Sequence, residues 1–390
     1  MQKVLIVCSH YFDDTDANAI CVRNLVEELI LRRNEVFVIT DTPTIKTENN
    51  NELCHFVFVK ESLYQQLEKT SRLKVIFKAY SIVRRIINLI IYPNVSPIRS
   101  RNIIKEAKRI IKENKIDIYL MTYRPFESIQ SGFKIAKLYK NIKFIAYHLD
   151  NIESASISNR IIKNILCKKS LKTLHKEQSV FDKLLVTPTS AASGGIIEVV
   201  GFPLYRTVPR VASEIEFDKD CENIVYVGTL NRENRNPGKA FEFLEKYKEL
   251  SQKKIKVHIW GRIDGIDDVL DRFKSLVEYH GFIDNQYVED IYEKADYLLN
   301  IGNTITIDML PSKIFRMFAT NKPIISFNKP NDISVKYLEK YPKSIIVTDY
   351  TADVSAFSDE INIVDAKDSE EMAELTLFKA SYIVDKILDN

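Results

Sequence analysis

Paired cysteine motifs, long apolar runs and a dominant charge are all missing from this 390-residue chain. Its cysteines, Cys8, Cys21, Cys54, Cys167 and Cys221, are odd in number and widely spaced. With no CxxC pair among them, neither a disulfide framework nor a zinc site is suggested, and a reducing cytoplasm fits best. No uninterrupted apolar stretch reaches the ~20 residues needed to span a bilayer, so any membrane contact is expected to be peripheral. The amino terminus, MQKVLIVCSHYFDDTD, has too short an apolar run for a signal-peptide core and reads as a first buried strand. Lys and Arg total 56 against 53 Asp and Glu, so the whole-chain charge points to no class of partner. Glycine is scarce and uneven: there are 10, and the first is Gly132. Repeats and low-complexity tracts are absent as well.

Apolar residues make up 45% of the chain, as in folded globular proteins, and 390 residues suit two α/β domains better than one core. Short β-branched runs alternate with segments of helical period, the signature of parallel sheets covered by helices. In the first half the strands read KVLIVC, EVFVIT, HFVFV, DIYLM, KFIAY, KLLVT and IIEVV. After the Gly- and Pro-punctuated link VVGFPLYRTVPR they read NIVYVG, IKVHIW, LVEYHGF, DYLLNIG, KPIISF, KSIIVT and INIVDA. Helices are expected near 237–251, 285–294, 311–320 and 368–390. The helix after the first strand carries a stripe of Val22, Leu25, Val26, Leu29 and Ile30, with Asp13, Asp14 and Asp16 before it as capping carboxylates. The expectation is an α/β chain of two doubly wound Rossmann-like domains, 1–205 and 206–367, facing a central cleft, with helix 368–390 packing back on the first. Open sheets of this kind bind ligands at the carboxyl ends of their strands. Gly228, Gly261, Gly281 and Gly302 follow apolar strands of the later domain, where glycine permits either close backbone approach to a ligand or a tight turn.

The segments VYVGTLNRENRNPGKAFEFL, VHIWGR, YHGFIDNQYVEDIYEKADYLLNIG and DMLPSKIFRMFATNKPII lie within residues 225–327. Together they resemble the two-domain GT-B glycosyltransferases, most nearly glycosyltransferase family 4, and the layout of most of the chain agrees. The resemblance implies a nucleotide-sugar donor held by the later domain, retention of anomeric configuration, and no required metal or cofactor. Breaking the glycosidic bond leaves a diphosphate, so cations should meet where it lies. The family supplies an Arg and a Lys after the first strand of this domain. Here Thr229 follows Gly228, and the cations come later as Arg232, Arg235 and Lys239; Arg235 is the candidate phosphate contact, or else a solvated loop arginine.

In LPSKIF, Pro311 suits a first helical turn, and the backbone N–H groups of Ser312 and Lys313 would then face an anion, with the Lys313 charge added. The bland alternative is a good helix start with an exposed lysine. The family's form of this segment has two glutamates with seven residues between them, for the sugar and the ribose. Matching Pro311 and Pro323 to the family's prolines puts Asp308 at the first and Arg316 at the second. Asp308 keeps the charge on a shorter arm. Arg316 reverses it, and a guanidinium only donates hydrogen bonds, so the usual ribose contact is in doubt. Arg316 either pairs with a phosphate or acidic sugar, or forms a salt bridge with no ligand role; a lost catalytic site is the third reading. Gly281, Phe282 and Ile283 match the loop that passes the nucleotide base in such enzymes, unless Phe282 is simply a core residue.

In the first domain, His148 at the end of FIAYHLDNIE matches a family histidine near the donor sugar, able to orient a hydroxyl or take its proton, and Asp150 is its candidate orienting partner or a helix cap. His10 and Asn18, around SHYFDDTDAN, are further acceptor-side candidates. Asp14-Thr15-Asp16 has the letter pattern of a DxD metal motif, but helix capping explains it, and no metal site is expected. From Glu68 to Glu113, twelve Lys and Arg face three Glu, interleaved with aliphatics, and NRIIKNILCKKSLKTLHK has the same character. Such helices suit either a sheet surface or an anionic membrane, and no nucleic-acid motif accompanies them.

The reading that gathers these features is a cytoplasmic, membrane-peripheral glycosyltransferase of bacterial type. It would move a sugar to a hydroxyl of a lipid-linked or surface-polysaccharide acceptor. The rival is a non-catalytic GT-B subunit that binds a glycan or partner protein.

Overall fold

Val4, Leu5, Ile6 and Val7 are each 0% exposed because the first strand, β1 (Lys3–Val7), is paired on both sides and covered on both faces. This buried start organises the first of two units in a computed structural model that describes residues 1–12, 16–43, 51–59, 96–123, 126–149, 160–188, 190, 192–204, 211–307, 310–351, 354–365 and 373–389. Asp14, Thr15, Asp150, Asp308 and the basic run 68–95 lie outside the described residues. Unit 1 comprises Met1–Pro203 and Leu377–Asn390, and unit 2 comprises Leu204–Thr376.

Unit 1 continues through α1 (Ala17–Leu31), β2 (Glu35–Asp41), β3 (Cys54–Val59), α2 (Pro97–Asn114), β4 (Ile118–Tyr123), α3 (Phe126–Ile135), β5 (Lys143–His148), α4 (Arg160–Val180), β6 (Lys183–Val186) and β7 (Ile197–Val199). Its parallel sheet has the order β3-β2-β1-β4-β5-β6-β7, so the chain winds outward one way from β1 and then returns to wind the other way. Continuous apolar strands such as IYLMTY are buried at every position because helices cover both faces. The expected stripe on α1 is seated on the sheet: Val22, Leu25, Val26 and Leu29 are buried, and the Asp16 carboxylate accepts a hydrogen bond from the Asn18 N–H at 2.8 Å as the cap.

Unit 2 runs β8 (Glu222–Val227), β9 (Leu230–Asn231), α5 (Gly238–Ser251), β10 (Ile255–Trp260), β11 (Ile263–Asp264), α6 (Asp267–Arg272), β12 (Val277–Tyr279), α7 (Val288–Lys294), β13 (Tyr297–Ile301), α8 (Lys313–Phe318), β14 (Ile324–Phe327), α9 (Val335–Leu338), β15 (Ser344–Val347) and α10 (Val354–Asp365). Its main sheet, also parallel, is ordered β12-β10-β8-β13-β14-β15. The direction of winding therefore reverses between β8 and β13, which places the switch point beside Gly228 and Gly302.

Two expectations need correction. Within INIVDA, residues 361–365 are not a strand but the end of α10, whose Phe357 and Ile361, one turn apart, are buried in the core of unit 2. A short apolar run fits a strand or a buried helix face equally well, and here packing onto α5 decides for the helix. The helix expected at 311–320 shortens to the six residues of α8.

The chain ends in α11 (Ala380–Leu388), which belongs to unit 1. Ile383, Val384 and Ile387 are fully buried, Arg32 of α1 pairs with Asp385 and donates to the Ser381 carbonyl at 2.8 Å, and Lys183 donates to the Lys386 carbonyl at 2.7 Å.

Candidate functional site

The carboxyl ends of three adjacent strands in unit 2 are joined through glycine. The Gly228 N–H, after β8, donates to the Trp260 carbonyl at 2.9 Å, and the Gly261 N–H, after β10, donates to the Gly281 carbonyl at 2.7 Å. Gly261 has φ +119°, and a Cβ there would lie 2.2 Å from the Gly228 carbonyl oxygen. Only glycine lets these two backbones touch.

Beside this seam stands Tyr226, fully buried, with its hydroxyl donating to the Thr229 carbonyl at 2.9 Å. Burial pushes its phenol up to about 12, while the nearby Arg235 guanidinium opposes that rise. The Lys313 ammonium lies over the Tyr226 ring, 3.9 Å from its centroid. The stem of Lys313 remains partly exposed, yet its Nζ is sealed from solvent and has no hydrogen-bond partner among the described residues. Desolvation, and then the Arg235 charge, hold this amine well below the usual lysine range. The Arg235 guanidinium and the Lys313 amine thus meet at the switch point, the amine with no hydrogen-bond acceptor among the described residues.

The loop carrying Arg235 is fixed rather than loose. Asn231 Oδ1 accepts from the Asn234 N–H at 2.7 Å, and Asn234 Oδ1 in turn accepts from the N–H groups of Thr304, Ile305 and Thr306 at 2.8–3.2 Å. Arg235 Nε donates to Asn303 Oδ1 at 2.8 Å, and the Asn303 N–H donates to the buried Asp332 carboxylate at 3.1 Å. Gly302 makes room for this, since its Cβ would fall 2.5 Å from Asp332 Oδ2. Asn234, Asn303, Asp332 and Tyr226 were not legible as site residues. Arg235 and Asn303 are 68 positions apart, and Tyr226 reads as one more core residue of an apolar strand.

Among the remaining donor-side candidates, Pro311 is buried, Ser312 precedes α8, and Thr229 is exposed. Gly281 adopts φ +77° and Ile283 is half-buried. Phe282 is 68% exposed, which removes the core reading of that side chain. Arg316 does not lie free toward a ligand: it is engaged by Glu289 and Asn285, both from the segment that leads into and forms α7.

In unit 1, His148 ends β5 and is 2% exposed, with its Nε2 2.6 Å from Glu177 of α4 and its ring stacked on Tyr123. The carboxylate that orients it within the described residues is thus Glu177, 29 residues on, where no local spacing could reveal it. His10 adopts φ +51°, and its Nδ1 lies 3.7 Å from Asp41. Asp41 in turn forms a buried pair with Arg99 of α2 at 2.8 Å. Glu127 is buried nearby, and desolvation raises its carboxyl above the ordinary range against the pull of Arg99. Asn18 stays in the first turn of α1, tied to Asp16.

No family model and no curated protein matches this sequence. Solved structures do match in fold. A glycosyltransferase of Rickettsia africae is 13% identical, with a TM-score of 0.58 over 100% of this chain and 99% of that one. Sucrose-phosphate synthase of Thermosynechococcus elongatus is 13% identical, with a TM-score of 0.55 over 100% and 95%. HepE of Anabaena, solved in complex with UDP-glucose, is 13% identical, with a TM-score of 0.53 over 100% and 96%. The chain has the GT-B fold.

Proposed function

We propose that this chain is a nucleotide-sugar-dependent glycosyltransferase whose donor diphosphate binds at the β8/β13 switch point of unit 2. The observation that carries the reading is the sealed Lys313 amine, which has no hydrogen-bond acceptor among the described residues and stands beside the Arg235 guanidinium. An isolated buried charge is costly, and a diphosphate arriving there would supply the missing acceptors. The nucleotide sugar bound to HepE makes UDP-sugars the first donors to test. Gly281, Phe282 and Ile283 would pass the base, while Thr229, Pro311 and Ser312 would line the phosphates.

The chemistry then needs no protein nucleophile. Arg235 and Lys313 stabilise the departing diphosphate, Asp308 binds sugar hydroxyls, and the acceptor hydroxyl enters on the face the diphosphate leaves, so configuration is retained. His148, held by Glu177, orients or deprotonates at the sugar, with His10, Asn18 and Asp150 toward the acceptor. Calorimetry with a panel of nucleotides and nucleotide sugars tests the proposal. The expected result is binding of at least one, weakened at least tenfold by Lys313→Met; a folded sample that binds none would overturn it in favour of a non-catalytic GT-B subunit.

The acceptor we propose is lipid-linked or part of a surface polysaccharide, met at the inner face of the cell membrane. Among the described residues no helix is long and apolar enough to cross a membrane. Helix α2 exposes Arg101, Lys105, Lys108, Arg109 and Lys112, and α4 exposes Lys168, Lys172 and Lys176 together with Ile165 and Leu171. Cations interspersed with exposed aliphatics suit an anionic bilayer surface. Vesicle co-sedimentation tests this part: binding to anionic vesicles should exceed binding to neutral ones, and equal binding would remove the membrane from the reading.

A further inference from the structure

We propose that His258, Glu278 and His280, on the β10/β12 edge of unit 2, form a binding site for a divalent transition metal of the zinc class. Their ligand atoms all lie within 4.8 Å of one another. His258 and Glu278 are register partners on paired strands, and His280 follows two residues after Glu278, so the pleat turns all three side chains to one face.

The second observation is the way Asn223 prepares His258. The Asn223 amide nitrogen donates to the carbonyls of Asp218 and Cys221, each at 2.9 Å, and to Asp296 Oδ2 at 3.2 Å. Its carbonyl oxygen therefore faces His258 Nε2 at 3.2 Å, and that nitrogen must carry the proton. His258 Nδ1 is left with its lone pair, 3.0 Å from His280 Nε2. An outer group that fixes tautomer and ring orientation is what metal-ligating histidines have. Phe217 packs on the His258 ring at 4.6 Å between centroids, and Trp260 stacks on the His280 ring at 4.3 Å, so aromatic surface surrounds the nitrogens.

Tetrahedral zinc bonds of about 2.1 Å place donor atoms roughly 3.4 Å apart, so the two nitrogens need to open by only a few tenths of an ångström. Glu278 is exposed and can swing in. Its present partner is Lys256, at 3.5 Å, which a metal would have to displace. Two imidazoles and one carboxylate leave a fourth position for water, and nitrogen donors select zinc-like ions over magnesium or calcium. A metal here would tie β10 to the strand that runs into Gly281. The inference stands on its own residues and does not need the donor reading.

The test uses chelator-treated full-length protein titrated with Co(II) and Zn(II) alone. The expected result is one ion per chain, a tetrahedral Co(II) absorption band, and a raised melting temperature. His280→Ala and Glu278→Gln should each weaken binding about tenfold or more, and Lys256→Met should strengthen it. Circular dichroism confirms that each variant is folded. Absence of stoichiometric uptake, or uptake untouched by His280→Ala, would overturn the site in favour of a simple hydrogen bond between two neutral histidines.

Discussion

Arg316 grips Glu289 with two nitrogens, Nε on one carboxylate oxygen and Nη2 on the other at 2.6 Å, while Nη1 and Nη2 also donate to the side-chain and backbone carbonyls of Asn285 at 2.6 and 2.9 Å. Every guanidinium nitrogen is thereby occupied within unit 2. The arginine that the resemblance matched to a second glutamate is thus held by a counter-charge from its own unit.

Removing either partner should therefore be felt as lost stability. Arg316→Ala and Glu289→Gln are each expected to cost about 1–3 kcal/mol in urea denaturation, the range of charge-assisted hydrogen bonds. Arg316→Glu should cost more, because two carboxylates would face each other, and the swap with Glu289→Arg should recover part of the loss. If Arg316 instead serves the donor, Arg316→Ala will weaken nucleotide affinity with little change in the urea midpoint.

Lys313 gives a prediction of opposite sign. Its amine is held below the lysine range by burial, so the folded state binds its proton less readily than the unfolded chain does. The unfolded chain then holds more protons in the window between the lowered folded value and the ordinary value of about 10.4, and stability must rise with pH through it. The destabilisation is fully present below the folded pKa and is relieved progressively as pH rises from there to the ordinary value. Lys313→Met should abolish that slope and leave the ligand-free protein at least as stable at pH 7. Urea midpoints at a series of pH values, with and without the substitution, check both points.

At the glycine seam, Gly261→Ala combines a positive φ with a 2.2 Å approach to the Gly228 carbonyl oxygen. Gly265 also has a positive φ, +66°, but a Cβ there meets nothing within 4 Å. Gly265→Ala is expected to cost about 1 kcal/mol, and Gly261→Ala appreciably more, on the order of 2–4 kcal/mol. Equal melting temperatures for the two would mean that the seam yields easily.

In unit 1, the Asp41–Arg99 pair has side chains only 2% and 6% exposed. Asp41→Ala would leave the Arg99 cation buried without its partner, at a cost of about 3–5 kcal/mol. Replacing both residues with apolar side chains of similar volume should cost less than the single change, and a double-mutant cycle measures the difference.

The sequence by itself determined the two wound sheets, because strands buried on both faces must be apolar throughout and the helices between them must be amphipathic. It also marked the carboxyl ends of β8, β10, β12 and β13 through their glycines, and it singled out Arg235 and Lys313. What the tertiary structure decided was which side chains meet. Glu177 reaches His148 from 29 positions away, Glu289 takes Arg316 from 27, and Asn303 reaches Arg235 from 68. Periodicity reports the face a residue occupies, but pairing across strands and helices depends on register and packing, which no local pattern encodes. For the same reason INIVDA, read as a strand, was shown to be helical only by its packing against α5. Lys313 was legible as a charge, and only the fold could close Tyr226 over it and leave its amine without an acceptor among the described residues.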